Sequence, residues 1–203
     1  MLKVGLTGSI AVGKSFVCSV LRELGCHVLD ADKTAREVVA KNSDGLAEIV
    51  RNFGNKVLTA DGELDRKKMA AIVFADTEKR ELLNSIIHPR VIEAQNDWLN
   101  ELEKNQPDAI AIIDAALMIE SGGYKRFDKI IVVWCAGDIQ LSRLMSRDDL
   151  SREEAAKRIA AQMPQGEKKK FAQFLIDTSN GFDDTRRQVA ELAAMLRQLA
   201  ENK

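Results

Sequence analysis

Apolar and polar positions repeat along this chain with two periods. Leu2, Val4 and Leu6 recur every second residue, as in a strand. Val17, Val20, Leu21 and Leu24 recur at i, i+3, i+4 and i+7, the stripe of an amphipathic helix. Gly25 stands where that helix should be capped, and Cys26–Leu29 reads as a short buried second strand. A helix carrying Ala35, Val38 and Val39 follows. From Asn42 to Asn105 the pattern is almost wholly helical. Leu46, Ile49, Val50 and Phe53 mark one helix, and Asn55 to Asp65, with Asp61-Gly62, reads as a turn-rich connection. Further helices are predicted over Arg66–Phe74 and Thr77–Glu103, the second broken or bent near His88-Pro89.

Ala109–Asp114 and Lys129–Cys135 are continuous apolar runs, the pattern of strands covered on both faces of a parallel sheet. Asp138–Gln162 is charged and helical; Met163-Pro164 and Gly166 end it and offer a hinge. Phe174–Ile176 is the last strand, and Val189, Leu192, Ala193, Leu196 and Leu199 mark a closing helix. This order predicts an α/β fold, a mostly parallel five-stranded sheet flanked by helices. The helical block between the second and third strands exceeds a simple crossover and reads as an inserted substrate lobe.

The length of 203 residues suits one domain with inserted subdomains. A net charge of −1 gives no general drive toward nucleic acid or anionic membrane, so any phosphate binding must be local. No apolar run reaches the roughly 18–20 residues that span a bilayer, and the N-terminus lacks the features of a signal peptide. A cytoplasmic protein is expected. Cys18, Cys26 and Cys135 show no metal-ligand spacing and read as reduced, packed thiols.

The chemistry concentrates between the first strand and the first helix. Gly8, four residues, Gly13, Lys14 and Ser15 form the G-x-x-x-x-G-K-[ST] phosphate loop. Its glycines allow close backbone approach to phosphate oxygens. The amides of Ala11, Val12, Gly13, Lys14, Ser15 and Phe16 can form an anion-binding nest, reinforced by the helix dipole. Lys14 would reach the β- and γ-phosphates, and the Ser15 hydroxyl is a hard ligand suited to Mg²⁺.

Carboxylates at the C-terminal ends of strands lie where α/β proteins place ligands. Asp30-Ala31-Asp32 ends the second strand, with Arg36 one turn on; a helix cap is the alternative reading. Asp114 ends the third strand, where an Asp commonly supports Mg²⁺ directly or through water; a capping role is again the alternative. Arg143 and Arg147 share a helix face and could clamp a transferring phosphoryl group, although such charges also serve as a solvated face.

Taken together, these motifs resemble the dephospho-CoA kinase family over nearly the whole chain. The likeness rests on the phosphate loop preceded by Gly5-Leu6-Thr7-Gly8, on Asp30-Ala31-Asp32 with Ala35-Arg36, and on Asp61-Gly62 with Asp65-Arg66. It continues through Leu83-Asn84, Ile87-His88-Pro89, Gln140-Leu141, Arg143-Leu144, Arg147, Arg158-Ile159, Gln162-Met163, Ile176-Asp177 and Ser179-Asn180-Gly181. The resemblance implies transfer of the ATP γ-phosphoryl group to the ribose 3′-hydroxyl of dephospho-CoA, the final step of coenzyme A biosynthesis. It implies a P-loop core (about 1–41, 106–137 and 167–203), a helical CoA-binding lobe (about 42–105) and a lid (about 138–166). It casts Asp32 as general base, Lys14, Arg143 and Arg147 as catalytic cations, and Asn180 as a nucleotide contact. Arg36 and His88 fall near the acceptor, although His88 could simply cap a helix before Pro89. ATP, dephospho-CoA and Mg²⁺ are the expected ligands, with neither nucleic acid nor membrane, and a monomer is favoured.

The chain departs from the family pattern at Ser9 and Ala11, where glycines are typical, and at Phe16, where Thr is usual. The loop amides tolerate these residues provided φ stays negative. Ala115-Ala116 lacks the usual Pro after Asp114, and Thr178, in place of Asn, is expected to touch the adenine end. A kinase for another small hydroxyl acceptor would share this core. A guanine-specific switch is disfavoured, because Asn55-Lys56 continues as Val57-Leu58 rather than as a base-reading motif. A silent binding module would be expected to lose Lys14 or Asp32, and both are present.

Overall fold

The structure is a computed structural model that describes residues 1–202. It contains two compact units, one of Met1–Asp30 with the residues from Leu102 onward, the other of Ala31–Glu101.

The first unit holds a five-stranded parallel sheet with strands β1 (Leu2–Gly8), β2 (His27–Asp30), β3 (Ile110–Asp114), β4 (Lys129–Trp134) and β5 (Phe174–Asp177) in the order β2-β3-β1-β4-β5. β1 is central, with Leu6 opposite Asp114 on one side and Ile131 on the other. β3 is buried along its whole length, which explains its unbroken apolar sequence. Helix α1 (Lys14–Glu23) and the C-terminal helix of the unit cover one face. Their Val17, Val20, Leu21, Val189, Leu192 and Leu196 pack on Val4, Leu6, Ile112 and Ile131. Each such side chain contributes about 1.5–3 kcal/mol by leaving water. Gly25, in the left-handed region at φ 84, ends α1 as expected.

The second unit consists of α2 (Ala31–Glu37), α3 (Asp44–Phe53), α4 (Arg66–Ala75) and most of α5 (Thr77–Asn105). Its core is Val39, Ile49, Phe53, Val57, Met69 and Ile86. Ser43 and Asp65 cap α3 and α4 by accepting the Leu46 and Lys68 amides.

The expected interruption at His88-Pro89 is absent: α5 runs unbroken from Thr77 to Asn105. Pro89 cannot donate to the Ser85 carbonyl, but Ser85 is exposed and water can take that role. The next carbonyl, Ile86, accepts Arg90 Nη1 at 2.8 Å, and Ile86 itself is anchored in the core. His88 therefore lies inside a helix, exposed, and does not cap one.

The charged segment after β4 forms α6 (Gly137–Asp148) and α7 (Arg152–Ala160), then the short α8 (Gln165–Lys169). Asp149, at φ 51, stops α6, and a Ser151–Glu154 capping box starts α7. Helix α9 (Phe182–Glu201) closes the chain against α1. Among the described residues no helix is long and apolar enough to cross a membrane.

Candidate active site in the sheet unit

The phosphate loop leaves the central strand at its C-terminal end. A side chain at Gly8 would lie 2.6 Å from the Val133 carbonyl, so the loop can begin this close to β4 only with glycine. Gly13, at φ 85, occupies the left-handed region at the N-terminus of α1. Ala11 also has positive φ, 61, contrary to the condition that φ stay negative there. The backbone keeps a conformation suited to glycine although the residue is alanine. The Ser9 hydroxyl is buried without a hydrogen-bond partner among the described residues.

Lys14 forms an ion pair with Asp114 Oδ1. Both side chains are mostly shielded from water. Asp114 Oδ2 accepts the Cys18 thiol at 3.3 Å. Burial, and then the Asp114 charge, push that thiol far above its ordinary range. Asp30 stands in register with Asp114 on the neighbouring strand, so two carboxyl-bearing residues end adjacent strands, the Asp114 one paired with Lys14. The exposed Ser15 opens α1 next to Lys14.

Thr178 lies beneath the loop. Its hydroxyl donates to the Val12 carbonyl at 2.7 Å, and its side chain is the nearest neighbour of the Gly13 position. Arg143 is fixed on the same residue, donating from Nη1 to Thr178 Oγ1 at 2.8 Å and from Nη2 to the Thr178 carbonyl at 2.7 Å. Thr178 was expected at the adenine end; here it supports the phosphate loop, a role invisible in the sequence because its partners lie 166 and 35 residues away. Arg147 points elsewhere and pairs with Asp148, which also receives Arg158. Sharing a helix face has not given Arg143 and Arg147 a shared partner. Asn180 is exposed, and its side chain lies beside Asp184 at the start of α9.

Phe16 packs edge-on against Phe182, centroids 4.7 Å apart, with the Arg186 guanidinium 5.8 Å from its ring. The loop after Asp114 lacks proline but is held by its backbone. The Ala116 carbonyl accepts both the Thr7 hydroxyl and the Nζ of Lys168, a lysine wholly buried and paired with Glu120 at 2.9 Å. A lysine in a charged stretch gave no sequence signal of this role.

In the second unit, Asp32 lies in the first turn of α2, two residues after β2 ends, and Arg36 follows one turn on along the same exposed side of the helix. His88 is exposed on α5.

A model of the family described as Dephospho-CoA kinase matches residues 2–184. The chain belongs to the dephospho-CoA kinase family. A dephospho-CoA kinase of Listeria innocua is 45% identical over 188 residues, covering 92% of each chain. Among solved structures, a Thermus thermophilus protein aligns with a TM-score of 0.82 at 30% identity, over 96% of this chain and 97% of that one. A dephospho-CoA kinase from Campylobacter jejuni aligns with a TM-score of 0.74, also at 30% identity, over 97% of both. The kinases of this family transfer phosphate from ATP, and the five-stranded parallel sheet with its phosphate loop is their nucleotide-binding fold.

The donor set suits a nucleotide-borne Mg²⁺. Among the described residues no cluster of three or more His, Cys, Asp or Glu could hold a metal alone. Mg²⁺ needs few protein oxygens, because phosphates and waters complete its shell. The Asp114 carboxylate and the Ser15 hydroxyl are hard oxygen donors of that kind.

Proposed function

We propose that this chain phosphorylates the ribose 3′-hydroxyl of dephospho-CoA with ATP, giving CoA and ADP, and that the sheet unit carries the nucleotide. The observation that carries this reading is the Lys14–Asp114 pair at the mouth of a phosphate loop on the central strand, in a chain of this family.

The loop amides from Ala11 to Phe16 bind the phosphates, and Asn180 contacts the nucleotide. Lys14 leaves Asp114 for the β- and γ-phosphate oxygens. Ser15 and Asp114 are the residues that would hold Mg²⁺, which when bound neutralises charge on the transferring phosphoryl group. The acceptor oxygen attacks the γ-phosphorus, the bond to the β-phosphate oxygen breaks, and ADP leaves. The proton of the acceptor hydroxyl passes to the Asp32 carboxylate. Arg147 is the more readily recruited lid cation, because exposed pairs such as Arg147–Asp148 contribute little. Arg143 acts from its fixed seat on Thr178. Arg36 and His88 bind the acceptor on the helical lobe. In domain terms the chain is a core, a CoA-binding lobe and a lid; we read it as a cytoplasmic monomer.

The test is ATP turnover with dephospho-CoA, adenosine or a nucleoside monophosphate as acceptor. Strong stimulation by dephospho-CoA, with CoA as product, is expected. Asp32→Asn should keep ATP binding and lower turnover by about 10²–10⁴-fold. Stimulation only by another acceptor would overturn the assignment, and near-normal turnover in Asp32→Asn would remove Asp32 as the base.

A further inference from the structure

The apex of the phosphate loop is gripped from both sides by glutamines of the α6–α8 segment. The Ile10 amide donates to Gln162 Oε1 at 2.8 Å. The Ile10 carbonyl accepts Gln140 Nε2, also at 2.8 Å. Gln140 is 2% exposed, and its own Oε1 accepts Gln165 Nε2 at 2.7 Å. Gln165 in turn brackets the backbone of Cys135, just beyond β4, accepting from its N–H at 3.1 Å and donating to its carbonyl at 3.2 Å. One chain of amides therefore joins the end of a core strand to the loop that receives the nucleotide.

The residue after Ile10 is Ala11, held at φ 61. A non-glycine residue persists in that region when its surroundings over-determine it. Ile10, bonded through both its N–H and its carbonyl, is such a surrounding: Gln162 fixes the peptide before Ile10, and rotating Ala11 out of the left-handed region would swing the Ile10 carbonyl off Gln140.

We propose that Gln140 and Gln162 are positioning residues that hold the phosphate loop in its nucleotide-binding shape, so that ATP affinity depends on the packing of the α6–α8 segment. The proposal rests on the phosphoryl-transfer reading above. Neither glutamine needs to touch ATP. Without them Ala11 relaxes, the nest amides turn away, and ATP must reorder the loop on binding. A net hydrogen bond of ordinary strength corresponds to about a fivefold change in affinity.

The experiment replaces Gln162 and Gln140 separately by Met, which keeps length and removes the amide. ADP affinity is measured by calorimetry without acceptor, and KM for ATP, KM for dephospho-CoA and kcat are measured by turnover. The expected result for each variant is nucleotide affinity weakened about fivefold or more, with KM for dephospho-CoA and kcat unchanged. Adding Ala11→Gly to Gln162→Met should restore part of that affinity, because glycine adopts the loop conformation without the clamp. Unchanged nucleotide affinity would overturn the proposal; so would a loss confined to kcat, an equal loss for both substrates, or no rescue by Ala11→Gly. If Gln140→Met fails to fold, the half-buried Gln162 carries the test. The calorimetric arm does not involve the acceptor, so failure of the dephospho-CoA assignment shows only in turnover.

Discussion

Replacing Ala11 by glycine should stabilise this protein, the reverse of what an alanine-to-glycine change normally does. Ala11 sits at φ 61, where the Cβ of an L-residue crowds the following carbonyl. Strain of this kind is about 1–2 kcal/mol. Glycine removes it but gives the unfolded chain more freedom, which opposes folding by about 0.4–1 kcal/mol. The difference favours Ala11→Gly by roughly 1 kcal/mol at the centre of these ranges. For a domain of this size that corresponds to a rise of about 2–4 °C in melting temperature. The assay is thermal unfolding of the purified protein without nucleotide. Ala47→Gly serves as the control, at an exposed position inside α3, and should lower stability by about 0.8–1 kcal/mol. A melting temperature for Ala11→Gly equal to or below wild type would refute the argument. The strain would then be absent, or compensated by a contact of the Ala11 methyl group.

Thr178→Val should cost about 2–4 kcal/mol, read from the urea midpoint, since it strips a buried donor from the Val12 carbonyl and one acceptor from the Arg143 guanidinium. A change below about 0.5 kcal/mol would mean that water replaces the hydroxyl. The thiols supply a pH-dependent test. Burial raises all three above their ordinary value of 9.0, Cys26 to about 11. The folded protein keeps these protons where the unfolded chain has lost them, so the stability they contribute is full below about pH 9 and declines as pH rises toward 11. Folded protein at pH 8 should be inert to a thiol reagent that labels all three cysteines in denaturant. Rapid labelling without denaturant would contradict the burial of Cys18, Cys26 and Cys135.

What could be read from the sequence was whatever has a short-range cause. The strand before the loop, the stripe of α1, the apolar runs of β3 and β4 and the glycine-lysine spacing are each decided within a dozen residues. All appear where the pattern puts them. Continuity through Pro89 was not readable, because it depends on the Ser85 carbonyl facing water and on Ile86 being anchored in the core of the unit, both set by tertiary packing. Residue identity at Ala11 argued for negative φ, and only the tertiary environment reverses that. Of the site, Lys14, Asp114 and the loop could be named in advance. The supports could not: Thr178 reaches Val12 across 166 residues, and Lys168 reaches Ala116 across 52. Gln140 and Gln162 belonged to the family likeness, but no local pattern says that an amide will end on Ile10.

The Lys14–Asp114 pair links these observations to the proposed chemistry. While the pair is intact, the two charges cancel in a partly enclosed corner beneath the loop. Nucleotide phosphates that draw Lys14 away leave the Asp114 carboxylate without its cation. Its Oδ2 also accepts the Cys18 thiol at 3.3 Å, a weak donor that cannot offset a full negative charge. Asp30, on the adjacent strand, adds a like-charged neighbour. The corner would then hold surplus negative charge, and a divalent cation held at Asp114 and Ser15, as proposed above, would relieve it. On this argument Asp114 would exchange the lysine for the metal when the nucleotide binds. Asp114→Asn should consequently weaken the metal dependence of ATP binding more than ATP binding itself, as read by calorimetry with and without Mg²⁺. Equal metal dependence in the variant and in wild type would separate Asp114 from the metal and leave it only as the resting partner of Lys14.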